Sequence, residues 1–222
     1  MIADSFSEGL ALVVKGGKSG YINKVNEVVI PFKYDDGSAF KNGFAAVKSG
    51  KLWGLINKDG KEIIPPLYSK LEAPTEGLMA ACLEVDDSYI YNCGFIDMKN
   101  KVVIPFNYIY ANVFTEGLAA VQGKNQKWFF INKQGENVFQ KEYYWAQSFS
   151  QGRACIGKAV DKYGFIDKSG KIVIELKYVA VSDFKNGIAA VLVNDKTQKW
   201  AFIDKSGKIV IRQQYDWAGV VY

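Results

Sequence analysis

The chain of 222 residues contains no histidine, only three cysteines and no long hydrophobic run. The absence of histidine excludes histidine-dependent triads, histidine general bases and histidine metal ligands. Apolar stretches extend over only a few residues, which excludes a membrane-spanning helix. The net charge of +5 comes from scattered lysines without a basic stripe, so we expect no nucleic-acid partner. We also expect no cofactor.

The composition that is present, 49% hydrophobic and 23% charged residues, is typical of a soluble globular protein. The first residues lack the basic and apolar segments of a signal peptide. A mature secreted chain would look the same, so both a cytoplasmic and a secreted or surface location remain open.

A tandem repeat dominates the sequence. The phrase Phe-x-x-Gly-x-Ala returns along the chain, with Pro74 in place of the phenylalanine in one copy, and its glycines are separated by 34, 34, 40, 35 and 35 residues. This spacing predicts one repeat domain, 1–222, made of six repeats. The repeats span residues 3–36, 37–70, 71–110, 111–145, 146–180 and 181–218.

A second phrase in each repeat, such as Trp53-Gly54-Leu55-Ile56-Asn57-Lys58, is followed by a turn and a run rich in valine and isoleucine. The alternation and the glycine turns predict three antiparallel strands per repeat, with almost no helix. We expect Pro31, Pro65 and Pro105 to end the third strand, because proline removes a ladder donor.

These phrases resemble those of the WG-repeat, or KWG-repeat, proteins of bacteria. The matching residues include Phe40, Gly43, Trp53-Gly54 and Ile64-Pro65, and the resemblance extends over all six copies. It implies a β-rich repeat scaffold without a shared catalytic residue. The Trp-Gly pair itself stands only at Trp53-Gly54, so the resemblance does not imply a shared tryptophan ligand site.

The sequence leaves two arrangements of the repeats open. One is an open, twisted β-array or solenoid of stacked three-stranded meanders, which we favour because repeats of 35 residues are short for four-stranded blades. The other is a closed six-bladed β-propeller, which the lack of polar capping repeats favours. The first and last residues of the chain fall at equivalent positions of the repeat, as we would also expect of a repeat domain cut from a longer protein.

The hairpin formed by the first two strands of each repeat varies in length, and it is longest in repeat three. A turn at Asp87-Ser88 would place Val85 opposite Ile90 and Cys82 opposite Cys93. A cross-strand disulfide between the two cysteines is therefore conceivable, and the alternative is a pair of small buried thiols. Cys155 is expected in the core.

Aromatic residues that do not recur in every repeat are the candidate binding residues, because an exposed aromatic patch marks a partner surface. They are Tyr89, Ile90 and Tyr91 on the long hairpin, together with Trp145 and Trp217. The recurrent tyrosines and phenylalanines are expected in the core.

Two further sets recur with the repeat. Lysines recur beside the second turn of each repeat, the turn that follows the second phrase. They either form a positively charged ridge or keep the turns soluble. The acids and amides at one repeat position are expected to hydrogen-bond the following turn rather than to bind a metal. These residues are Asn23, Asn57, Asp97, Asn132, Asp167 and Asp204.

Together these patterns predict a non-catalytic binding or scaffolding module that presents loops and a β face to a protein or glycan. The alternative is a carboxylate-based hydrolase, which would need Glu84, Asp86, Asp87 and Asp161 to converge in a cavity.

Overall fold

The computed structural model describes residues 2–85, 90–193 and 198–216, which form strands and turns without any helix. The predicted all-β class is therefore confirmed. The chain divides into two compact units, Met1–Val113 and Phe114–Tyr222, each of which is described by itself.

The N-terminal unit contains three antiparallel sheets of four strands, and in each sheet the strands follow one another in chain order. A short thirteenth strand follows the third sheet. The strands are β1 (Ile2–Ala3), β2 (Leu10–Lys15), β3 (Lys18–Asn23) and β4 (Val28–Tyr34); β5 (Asp36–Gly37), β6 (Phe44–Ser49), β7 (Leu52–Asn57) and β8 (Glu62–Tyr68); β9 (Lys70–Leu71), β10 (Met79–Val85), β11 (Ile90–Ile96) and β12 (Val102–Tyr108); and β13 (Tyr110–Ala111).

The C-terminal unit contains one hairpin followed by a seven-stranded antiparallel sheet. Its strands are β14 (Ala119–Gln122) and β15 (Trp128–Ile131) in the hairpin, then β16 (Trp145–Ala146), β17 (Ala154–Gly157), β18 (Tyr163–Ile166), β19 (Ile172–Val181), β20 (Ile188–Val193), β21 (Trp200–Asp204) and β22 (Ile209–Tyr215).

The second and third four-stranded sheets each begin with a strand of two residues at the boundary with the preceding repeat, β5 and β9. The sequence predicts only three strands per repeat, but at these boundaries Asp36 pairs with Lys48 and Lys70 pairs with Cys82 as a fourth strand. Between repeats five and six this strand is continuous with the third strand of repeat five, as β19, which pairs with both β18 and β20. Neighbouring repeats are therefore joined by main-chain hydrogen bonds.

The third strand of most repeats bulges over the glycine of the second phrase. Trp53 pairs with Tyr68 and Leu55 with Ile64, so Gly54 alone faces a three-residue segment. A Cβ atom on Gly54 would lie 2.6 Å from the carbonyl oxygen of Ile64, which explains why the position requires glycine. Because Pro65 lies in this bulge, its missing N–H does not interrupt the ladder.

The prediction that Pro31, Pro65 and Pro105 end the third strand is therefore wrong. The strands β4, β8 and β12 each continue three residues beyond their proline.

Repeat four shows what happens when the glycine is replaced by a large residue. Phe129 stands at that position, and the segment after β15 forms only isolated bridges, Ile131 with Asn137 and Trp128 with Tyr143. In repeat six Ala201 occupies the position, and the bulge is kept opposite it.

Most of the recurrent aromatic residues form the core, as the sequence predicts, but the prediction is wrong for Phe6 of the first repeat and Tyr215 of the last, which are exposed. Tyr21 packs edge-on against Phe40 of the next repeat, with ring centroids 4.9 Å apart. Phe165 and Phe184 repeat this contact at 4.9 Å in the C-terminal unit. All four rings are almost completely buried, so each repeat completes the core of its neighbour.

The turn in each Phe-x-x-Gly motif is a two-residue hairpin in which both central residues have positive φ. Glu8 and Gly9 have φ values of 51° and 91°, and Ser7 and Leu10 exchange two main-chain hydrogen bonds. These are the angles of a type I′ turn, whose twist matches that of the flanking strands.

A contact between repeats, which we call the Glu–Lys clamp, holds this turn. The amide of Gly43 donates to the Glu8 carboxylate at 2.9 Å, and the Lys58 ammonium lies 3.1 Å from the same carboxylate. In the C-terminal unit, Gly152 donates to Glu116, and Lys168 donates to the Glu116 carbonyl oxygen.

The clamp lowers the pKa of Glu8, first through the hydrogen bond from Lys58 and then through the amide of Gly43. The sequence analysis missed this role of the recurrent lysines. The signal was available, because the repeat that has Asn42 in place of the glutamate also contacts a repeat with Met98 in place of the lysine.

Candidate binding surface

The candidate surface is built on a line of directly opposed residues, one from each strand, which we call the cross-strand row. Each row is named after the repeat that supplies its last three residues, and its first residue lies at the end of the preceding repeat. The row of repeat five consists of Trp145, Gly157, Tyr163 and Tyr178. Directly opposed residues of antiparallel strands project to the same face of the sheet. The side chains of a row are therefore neighbours.

Trp145 opens this row on β16 and combines exposure with firm support. Its side chain is 37% exposed, yet its indole packs against the buried indole of Trp128 at a centroid distance of 5.3 Å. The main chain on its N-terminal side is held as well, because the amides of Tyr143 and Tyr144 donate to Trp128 and Gly157 at 2.8 and 2.9 Å.

Gly157 allows two aromatic residues to approach each other across its strand. A Cβ atom there would lie 2.7 Å from a ring carbon of Tyr163 and 3.3 Å from the Cβ of Trp145. The ring of Tyr163 thus covers Gly157 on the side of Trp145. Burial, followed by the nearby charges of Tyr144 and other groups, raises the pKa of Tyr163, so its hydroxyl stays protonated at neutral pH.

The row of repeat three has different chemistry, with Lys70, Cys82, Cys93 and Tyr108. The ammonium of Lys70 lies 3.9 Å from the ring centroid of Tyr91 and 5.1 Å from that of Tyr110. Both distances are within the range of a cation–π contact. Tyr91, one of the sequence-predicted binding residues, is therefore half-buried and held by this lysine.

Cys82 and Cys93 lie opposite each other at the base of the long hairpin, in the register that the sequence analysis considered. Their sulfur atoms are joined in a disulfide, and both side chains are buried. Val85 also pairs with Ile90 as that register requires. The hairpin is thus cross-linked below its tip.

The remaining sequence-predicted residues are spread over the chain. Ile90 begins β11, whereas Tyr89 and Trp217 lie outside the described residues. The structure thus describes side chains for Tyr91 in the N-terminal unit and Trp145 in the C-terminal unit.

The acids and amides at the common repeat position hold the second turn, as predicted. In each of the six repeats the side-chain oxygen accepts hydrogen bonds from two main-chain amides of the following turn; Asp97, for example, accepts from Lys99 and Lys101 at 2.9 Å each. Among residues 2–85, 90–193 and 198–216, no three Cys, Asp or Glu side chains are grouped as a metal site.

The other reactive groups singled out in the sequence are the four acids of the hydrolase alternative and the cysteine of repeat five. Glu84 lies in the N-terminal unit and Asp161 in the C-terminal unit, while Asp86 and Asp87 lie outside the described residues. Cys155 is a buried free thiol, and burial strongly raises its pKa, so it is protonated and unreactive at neutral pH.

The profile of the family described as WG containing repeat matches most of the chain. The matched segments are residues 3–18, 20–53, 53–84, 94–128, 128–158, 163–196 and 200–222. The chain belongs to the WG-repeat family. Each full match begins at the second phrase and ends in the first hairpin of the next repeat, so six repeats appear as seven segments.

The tryptophan of the WG position is a support residue. Trp128 is 5% exposed within the core of the C-terminal unit, and Trp53 packs partly buried against the core of the N-terminal unit. After Trp53, Gly54 faces the bulge of the third strand. In this WG-repeat protein these two tryptophans therefore serve the core, and the exposed ring of Trp145 lies at another position of its row.

Solved structures similar to this WG-repeat chain are propeller-like and distant in sequence. The BamB protein of Moraxella catarrhalis matches with a TM-score of 0.58 at 9% identity, covering 95% of this chain and 75% of that one. A eukaryotic initiation factor matches with a TM-score of 0.59 at 10% identity, covering 93% and 63%. This likeness concerns the fold alone and agrees with either arrangement of the repeats.

A protein of unknown function from Bacteroides caccae also matches, at 17% identity with a TM-score of 0.38, covering 93% of this chain and 94% of that one. No protein of curated function matches the chain. The described part of the chain contains no helix of the length and hydrophobicity that a membrane span needs.

Proposed function

We propose that this WG-repeat chain is a non-catalytic binding module, which presents the exposed side chains of its cross-strand rows to a protein or glycan partner. The observation that carries this proposal is Trp145. A large indole that is partly exposed, yet fixed by a buried indole and by the sheet below it, is pre-organised for contact.

The repeats support this role because their constant and variable positions are separated. The residues of the turn, the bulge and the clamp stabilise the fold, and they recur in several repeats. The row positions change instead, from Trp145 and Gly157 in repeat five to Lys70 and Cys82 in repeat three. A scaffold with interchangeable surface positions is a feature of repeat proteins that bind partners.

A binding comparison tests the proposal. Immobilised wild-type chain and the variants Trp145→Ala and Tyr91→Ala would be probed with a glycan array and with an extract of the source cells. We expect at least one specific ligand, whose signal falls in one of the two variants. Leu67→Ala is the matched control, because Leu67 is exposed but lies outside the rows.

Tyr91 lies beside the row of repeat three, against Lys70 of that row. Retention of every ligand by both aromatic variants would contradict the proposal, as would an equal loss in Leu67→Ala.

A further inference from the structure

We propose that the aromatic cluster of repeat five, formed by Tyr144, Trp145 and Tyr163, is a saccharide-binding platform on which a pyranose ring stacks. This inference rests on the proposed function and gives the ligand class for one of its sites. It concerns the C-terminal unit only.

The cluster has the shape that stacking requires. Trp145 and Tyr163 project from the same face of the sheet on either side of Gly157. The Tyr163 ring lies over Gly157, and the Cβ of Trp145 borders the same glycine. Tyr144 precedes Trp145 and is 45% exposed. The polarised C–H bonds of a sugar face are attracted to the electron-rich face of an aromatic ring.

Rigidity favours the same ligand. The indole of Trp128 and the main-chain hydrogen bonds of Tyr143 and Tyr144 hold Trp145 in place before any ligand arrives. A sugar offers little apolar area, so its binding depends on rings that lose little freedom when they are covered.

Charged residues adjoin Gly157 and Tyr163 along the chain. The loop of residues 158–162 that joins β17 to β18 is exposed and brings Lys158, Asp161 and Lys162 to the edge of the row. A shallow groove lined by Lys158, Ile172, Glu175, Leu176 and Lys177 continues from this loop along β19. Ammonium and carboxylate groups supply both donors and acceptors for sugar hydroxyls.

The balance of apolar and polar surface favours a saccharide over a protein. The core of a protein interface is a broad apolar patch that is depleted in charged residues. Here the rings lie beside a loop of mixed charge, and the lysines of the groove accompany Glu175 and Asp161. Neither sign dominates, so the platform suits neutral sugar rings.

The test uses the full chain and three hexasaccharides, namely β-1,4-linked glucose, β-1,4-linked N-acetylglucosamine and α-1,4-linked glucose. Indole nitrogen labelling would give one NMR resonance for each tryptophan. We expect at least one hexasaccharide to shift the Trp145 resonance, which its loss in Trp145→Tyr identifies, while the resonance of Trp53 in the other unit stays in place.

Calorimetry would then measure how the affinity for the sugar depends on the aromatic ring at position 145. Trp145→Ala should lower the association constant by about tenfold or more, because one aromatic stacking contact is lost. Trp145→Tyr keeps an aromatic ring and should bind within severalfold of wild type. This variant also separates loss of the platform from loss of the fold, since Trp145→Ala removes the partner of Trp128.

The saccharide inference is overturned if none of the three sugars binds, or if a bound sugar leaves the Trp145 resonance unshifted. The proposed function survives either result when Trp145→Ala still abolishes capture of a defined protein ligand. It fails separately when the Trp145 and Tyr91 variants change no binding at all.

Discussion

Repeats three and five use the same backbone to support two different surfaces. In repeat five the row brings Trp145 and Tyr163 together over Gly157, and an aromatic ring faces solvent. In repeat three the corresponding positions are Lys70 and the disulfide of Cys82 and Cys93, and the lysine holds Tyr91. The comparison shows that the fold fixes where the row lies, while the sequence of each row decides what it presents.

The largest expected effect is a loss of stability on removal of the disulfide, which is present in the row of repeat three and absent from the row of repeat five. Replacing both Cys82 and Cys93 with alanine should lower the free energy of unfolding of the N-terminal unit by about 3 kcal/mol, because the unfolded chain loses its cross-link. Urea unfolding with and without reductant measures this difference.

Reductant should destabilise the wild-type chain and leave the double variant unchanged, since Cys155 is a free thiol. The row of repeat five contains no disulfide, so the C-terminal unit should unfold at the same urea concentration in both chains. A wild-type chain that is insensitive to reductant would contradict a structural role for the disulfide.

A smaller effect should be common to both repeats, because it concerns the bulge beneath each row. A Cβ atom on Gly94 would lie 2.6 Å from the carbonyl oxygen of Ile104, and one on Gly164 would lie 2.5 Å from that of Ile174. Gly94→Ala and Gly164→Ala should each cost about 2 kcal/mol of stability. Urea midpoints of the two variants give the comparison.

Ala201→Gly provides the matched control, because repeat six has already adapted its bulge to alanine. It should change stability by less than either substitution. If only one of the two glycine variants were destabilised, the two repeats would not share a common support.

The smallest expected effect concerns the clamp between repeats and depends on pH. The pKa of Glu8 is lowered by Lys58 and Gly43, so its contribution is complete above the ordinary value of 4.5 and is lost as the pH falls through the lowered value. Glu8→Gln should therefore reduce the acid sensitivity of the melting temperature, measured between about pH 6 and pH 3.

Gln151 makes the corresponding contact to Gly187 with a neutral amide, at 2.8 Å. Gln151→Ala serves as the control, since it removes that contact without altering the slope of melting temperature against pH. An unchanged acid sensitivity in Glu8→Gln would show that the Glu8 carboxylate contributes no pH-dependent stability.

Much of the fold could be predicted from the sequence, because the same motif spacing recurs in each repeat. The register that sets Cys82 opposite Cys93 followed from counting residues about a turn. The length of the third strand could not be predicted, because a proline usually ends strand pairing. Here the glycine on the opposing strand leaves space for a bulge that accommodates the proline. The clamp was missed because its partners lie in different repeats, 50 residues apart.

The candidate surface was predictable only in part. Trp145 stood out as an aromatic residue that does not recur, but its support by Trp128 and its place above Gly157 depend on strand pairing. Lys70 gave no signal, because a lysine beside a turn is ordinary and its contact with Tyr91 arises from the fold.

The bulged third strand has a consequence for how copies of this chain meet one another in solution. The strands β4, β8 and β12 are the last in their sheets, and Val28 and Val102 on two of them are exposed. A flat strand of this kind would invite a second molecule to add to the sheet and start an aggregate. The proline in each of these strands removes one main-chain donor, and the bulge breaks the regular spacing of the others, so the addition of a second molecule to the sheet is disfavoured.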